Sequence, residues 1–177
     1  RTILEKENSP AVLLLFAVIL SAGCVTEETV EVGDKVAVFY TLSLDDGTIQ
    51  ESNVGQSPLS FVVGGGQMIS GFDAAVVGMK VGETKEVRLA PSEAYGEITD
   101  DMIQEMTITE LLERLGDVPS EGDVLQVTVQ TDAGYQRMYM KILDVDEKEG
   151  IVSFALTGAR FAGEYLTFEI TLDSIVG

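Results

Sequence analysis

The stretch that decides the fold is Phe61–Gly96, FVVGGGQMISGFDAAVVGMKVGETKEVRLAPSEAYG. A β-type run, Phe61-Val62-Val63, ends in three glycines. Apolar residues then recur at helical spacing, which predicts a short helix over Met68 to Met79. Val87 and Leu89 alternate with Glu86 and Arg88, which predicts a half-buried strand over Glu83 to Ala90, followed by a turn ending in Tyr95-Gly96. Strand, glycine turn and helix also outline a phosphate loop, and Gly66 and Gly71 have its G-x-x-x-x-G spacing. Phe72 and Asp73 stand where a Lys and a Ser/Thr are needed, which argues against a nucleotide site. What the stretch offers is an apolar hollow. Met68, Ile69 and Phe72 enter the helix together, and Tyr95 returns from the next turn.

Upstream, Val36, Val38, Tyr40 and Leu42 share one face of a strand over Lys35 to Leu42. Asp45-Asp46-Gly47 is a hairpin signal, followed by strands over Thr48 to Glu51 and Leu59 to Val63. The helix is expected to pack through Ile69, Phe72, Ala75 and Val76. Near the end, Leu166, Phe168, Ile170 and Leu172 alternate with Thr167, Glu169 and Thr171 in a strand over Tyr165 to Leu172. Short antiparallel strands with one helix imply an α+β fold with a curled sheet.

GGGQMISGFDAAVVGMKVGE and AYG, in this order and spacing, resemble the two signatures of the FKBP-type peptidyl-prolyl cis-trans isomerases, in their SlyD-like branch. The resemblance covers most of the chain from Gly33 onward. It implies an isomerase domain at 31–97 and 158–177, split by an insert-in-flap domain at 98–157 that holds unfolded clients. It also implies a proline pocket lined by Tyr40, Met68, Ile69, Phe72, Tyr95 and Phe168, with Leu59 and Leu166 completing the walls. The Ile69 N–H and the Tyr95 hydroxyl would hold substrate carbonyls. Phe72 stands where many members carry tryptophan, Glu51 where aspartate is usual, and Gln50 where an aromatic or aliphatic residue is usual. Gly158 to Gly163 replaces the usual Asn-His pair. The amide of Gln50 beside an apolar hollow could reduce catalysis, which leaves a weak or inactive chaperone, or a peptide-binding adaptor of the cell envelope, as the alternative.

Ile98 to Thr157 is far longer than an ordinary loop and is expected to fold by itself. Asp100 to Met106 reads as helix-like. Thr107 and Glu110 suggest a capping box opening TELLERLG, with Gly116 as its stop. Strands follow over Val124 to Thr131, Gln136 to Val145 and Gly150 to Leu156. Met138, Tyr139, Met140, Leu143, Ile151 and Phe154 supply soft apolar surface for clients, or form the insert's own core.

The 177 residues carry 30 acidic against 11 basic side chains, a net charge of −19. That balance opposes binding to nucleic acid or to anionic lipid. The absence of His removes Ser-His and Cys-His catalysis, and a lone cysteine removes intramolecular disulfides and Cys-rich zinc sites. No cofactor or metal is expected, and a monomer is. The partners implied are unfolded or proline-containing polypeptides and, through the N-terminal segment, a membrane. Ala11 to Gly23 reads as the core of a signal segment at 1–23. It precedes Cys24, a candidate for lipid attachment, and a tether at 24–30. A plain signal or an uncleaved anchor are the alternatives. The expected location is the extracytoplasmic face of the cell envelope.

Overall fold

The computed structural model describes residues 28–176. The signal segment and Cys24 lie outside the described residues. Nine strands form two antiparallel sheets among the described residues.

The first sheet is built on β1 (Lys35–Leu44). One edge of β1 pairs with β3 (Leu59–Val62) along its first half and with β2 (Ile49–Ser52) along its second. The other edge pairs with β9 (Leu166–Val176), from Lys35↔Val176 to Leu44↔Leu166. β4 (Thr84–Leu89) lies on the far side of β9. The last strand of the chain is thus central, and its Leu166, Phe168, Ile170 and Leu172 are all buried. The hairpin at Asp45-Asp46-Gly47 forms as expected, with Gly47 at φ 82° and the Asp46 carboxylate accepting from the Thr48 N–H.

Helix α1 spans only Ser70–Val76, shorter than the periodicity predicts. Ile69 and Val77, at its two ends, have extended backbone. Gly78 then donates to the Val30 carbonyl, and Val30 donates to Met79. Met79 is therefore buried through a strand-like contact, not through a helical turn. The same contact corrects the tether: Val30 is 1% exposed and belongs to the core. α1 covers the sheet with Phe72, Ala75 and Val76. Gly71 permits the close approach, since a Cβ there would meet Leu89 Cδ2 at 2.6 Å. Lys85 of β4 donates to the Ala75 carbonyl, supplying a cation at a helix end that has none of its own.

The second sheet runs β5-β8-β7-β6. Asp100–Met102 is one 3-10 turn, and β5 (Ile103–Thr107) pairs with β8 (Ile151–Thr157), where the sequence suggested a helix. A neighbouring strand overrides local helical spacing here. Helix α2 (Ile108–Leu115) has the predicted ends. Thr107 Oγ1 accepts from the Glu110 N–H, Glu110 Oε2 accepts from the Thr107 N–H, and Gly116 closes the helix at φ 80°. β6 (Val124–Thr131) and β7 (Gly134–Asp146) complete the sheet. Its core is separate from the first: Leu111, Met140, Ile142, Val152 and Phe154.

Candidate functional site: an aromatic hollow beside helix α1

The glycine loop before α1 meets its own hydrogen-bonding needs. Both Asp73 carboxylate oxygens accept from the Gly64 N–H, at 3.0 and 2.8 Å, and Gln67 Oε1 accepts from Val62 at 2.9 Å. The acidic residue that argues against a phosphate site therefore fastens the loop to the helix. With the loop fixed, Met68 and Ile69 are delivered to the same cavity as Phe72.

Phe72 is fully buried. Its ring meets Tyr40 at 5.8 Å and Phe168 at 5.1 Å, both edge-on, an arrangement that ring quadrupoles favour. Above these rings lies a cavity of about 180 Å³, lined by Tyr40, Leu42, Glu51, Gln67, Met68, Ile69, Phe72, Tyr95 and Phe168. All six residues expected around an apolar pocket thus share one concavity, together with Glu51. Leu42 and Gln67 were missed. Leu42 looked like plain core from its alternation, and Gln67 carried no apolar signal.

Three expected residues lie elsewhere. Leu59 packs at the edge of the main core, and Leu166 is fully buried between β1 and β4. Neither lines the hollow. Gln50 does not face the cavity as a free amide: its Oε1 accepts from Arg160 Nη2 at 3.2 Å. Its placement follows from a bulge, because Leu42 pairs with Glu51 and Ser43 with Ile49, leaving Gln50 as the extra residue.

Polar groups ring the hollow. The Tyr40 hydroxyl donates to Glu51 Oε1 at 2.6 Å. Burial first, then the Glu51 hydrogen bond and charge, raise the Tyr40 pKa above the ordinary phenol range. Burial, and secondarily Glu51, also raise Tyr95. Both phenols therefore stay protonated at neutral pH. Among the described residues neither the Tyr95 hydroxyl nor the Ile69 N–H has a hydrogen-bond partner, and both sit at the cavity. Such a site can seat a compact apolar ring and offer two donors to its flanking carbonyls. Among the described residues no group of His, Cys, Asp or Glu is placed to hold a metal ion.

A second, larger depression of about 590 Å³ opens between α2 and the second sheet. Of the residues expected to contact clients, Met140 and Phe154 are buried and lie at this groove. Met138, Tyr139, Leu143 and Ile151 are half-buried and do not line it. Leu143 is the extra residue of a bulge on β7, and Tyr139 alternates away from Met140. Met106, Leu111, Leu115, Val127, Val129 and Leu156 line it instead.

A curled antiparallel sheet clasping one short helix, with an aromatic hollow at the helix start, defines the α+β class of this protein. Residues 26–173 match the family described as FKBP-type peptidyl-prolyl cis-trans isomerase, and the chain belongs to that family. It is 32% identical over 113 residues to the FKBP-type isomerase SlyD of Aeromonas hydrophila, covering 64% of this chain and 50% of that one. To the short-type peptidyl-prolyl cis-trans isomerase of Methanocaldococcus jannaschii it is 35% identical over 88 residues, covering 42% of this chain and 55% of that one. To SlyD of Vibrio cholerae it is 25% identical over 148 residues, 82% of this chain and 68% of that one. The chain spans about half the length of the first two of these relatives.

Proposed function

We propose that this protein is a peptidyl-prolyl cis-trans isomerase whose aromatic hollow binds the proline ring. The barrier to rotation about a peptide bond, roughly 18–20 kcal/mol, arises from C–N conjugation. Cis and trans X–Pro forms are close in energy yet exchange over tens to hundreds of seconds. Lowering that barrier needs no nucleophile or cofactor. It needs a dry surface that fits the twisted amide better than either planar form. Tyr40, Phe72 and Phe168 supply the surface, with Met68 and Ile69 as its lip. The Tyr95 hydroxyl holds the carbonyl of the rotating amide, and the Ile69 N–H holds the next carbonyl along the peptide. Glu51 keeps the Tyr40 hydroxyl turned away from the ring.

The observation that carries this reading is the convergence of those five side chains on one cavity beside two donors with no partner among the described residues. Residues 25–177 should accelerate the slow refolding phase of a proline-limited protein. No acceleration, with aggregation still suppressed, would point to a chaperone that retains only the fold.

The segment 98–157 is read as an insert-in-flap domain that holds unfolded chains along the groove beside α2. The groove's size and its apolar floor support this, and suppression of aggregation at a refolding temperature tests it. Export by the signal segment and lipid attachment at Cys24 place the protein at the extracytoplasmic face of the envelope. No helix among the described residues is long and apolar enough to cross a membrane. Mass analysis of the Cys24 peptide from membranes tests it.

A further inference from the structure

One side of the hollow's rim is formed by contacts that the proposed rotation does not use. The bulge in β2 places Gln50 beside Glu51, and Gln50 Oε1 accepts from Arg160, 110 positions away in sequence. The Arg160 guanidinium lies 5.1 Å from the centre of the Phe161 ring. That ring in turn lies 5.8 Å from the ring of Tyr95. The contacts therefore run unbroken from Tyr95 through Phe161 and Arg160 to Gln50, and the next residue is Glu51.

The loop that carries Arg160 is held at both ends. Thr157 Oγ1 donates to the Ala159 carbonyl at 2.8 Å, and the Gly163 N–H donates to Gly96 at 2.8 Å. Gly163 lies so close to Ile98 that a Cβ would meet its Cδ1 at 2.8 Å. Arg160 is thus held one contact away from the cavity lining, through Phe161 to Tyr95 and through Gln50 to the neighbouring Glu51. In a chain with 30 acidic and 11 basic residues, its partners are a neutral amide and a ring face. Among the described residues it makes no ion pair. A carboxylate adds a second charge and can accept two parallel guanidinium N–H bonds, which the single Gln50 oxygen does not, so an acidic side chain can displace the Gln50 contact.

This inference rests on the reading of the hollow as a proline site. A cavity of about 180 Å³ holds one ring, so the side chains of neighbouring residues lie outside it. The carbonyl held by Tyr95 belongs to the residue before proline. That residue's side chain therefore emerges at the Tyr95 edge, where Phe161 and Arg160 stand. We propose that Arg160, backed by Phe161 and held on Gln50, is the specificity-determining residue for the position before proline and favours an acidic side chain there.

The test compares tetrapeptides Ala-Xaa-Pro-Phe, with Xaa as Glu, Gln or Leu, using the full chain at low salt. An exposed ion pair supports a preference of about three- to fivefold in kcat/KM for Glu over Gln. Arg160→Met should bring that ratio to one, and the ratio rather than the absolute rate is the readout. Arg160→Lys should restore part of the preference, and 0.5 M salt should weaken it in the unaltered chain. A Glu-to-Gln ratio of one in the unaltered chain, or a ratio unmoved by Arg160→Met, overturns the inference and leaves the isomerase reading standing. If no peptide is turned over, the isomerase reading fails separately. Fluorescence-anisotropy binding of labelled Glu-Pro and Gln-Pro peptides then decides the role of Arg160: equal affinity for the two peptides overturns it, and tighter Glu-Pro binding lost in Arg160→Met supports it.

Discussion

The Tyr95 hydroxyl stands at the mouth of the hollow with no partner among the described residues, so its removal separates binding from folding. Tyr95→Phe should lower kcat/KM on a Leu-Pro peptide by about two- to tenfold, the worth of one ordinary hydrogen bond. The thermal midpoint should stay unchanged. A loss of stability without loss of activity would remove Tyr95 from the site. Tyr40 makes a different prediction, because its folded pKa is raised above the unfolded phenol value near 10. Between those two values the folded chain keeps a proton that the unfolded chain has released, so stability falls as pH rises above about 10. Urea midpoints measured from pH 9 to 11 should fall less steeply in Tyr40→Phe. At this scale the sequence was legible where a residue is aromatic or apolar and belongs to a short local motif, as with Ile69, Phe72 and Tyr95. It was not legible for Gln50, whose direction depends on a bulge, nor for Gln67, whose amide is recruited by a neighbouring backbone N–H.

Among the elements, α2 was read correctly because its signals are local: a reciprocal cap at one end and a left-handed glycine at the other. Thr107→Ala should cost about 1 kcal/mol of the second sheet's stability, as cap removal commonly does. Thr107→Ser should cost far less, because the hydroxyl remains. Hydrogen exchange of the α2 amides reads this directly, and equal protection in Thr107→Ala would show that packing of Leu111 alone holds the helix. β5 and the short α1 escaped the sequence reading for the opposite reason. Ile103 to Thr107 takes its conformation from β8, about fifty positions later in the chain, by a roughly uniform antiparallel pairing that no local pattern reports. Likewise α1 stops at Val76 because Gly78 and Met79 hydrogen-bond to Val30, far upstream. Periods of two and of three to four residues are visible in a sequence, but the partner that decides between them is not.

At the scale of the molecule, the split into two cores follows from chain order, since β5 to β8 lie between β4 and β9, which pair with each other. One contact between the two parts was invisible from sequence: Lys141 on β7 pairs with Glu164, just before β9. The Lys141 side chain is 14% exposed and that of Glu164 is 32%, so each charge is partly removed from water. Truncating one partner strands the other, and the stranded charge costs more than the pair contributes. Lys141→Met and Glu164→Gln should therefore each lower the thermal midpoint, while the double variant should be less destabilised than the two effects added. The pair sits beside the loop that carries Arg160 and Phe161, so loosening it should also disturb the mouth of the hollow. Either single variant should raise KM for peptides more than it lowers kcat, because the aromatic floor belongs to the other core and stays in place. Additive stability losses with unchanged KM would show that the pair is an independent surface contact and that the second sheet does not steady the rim.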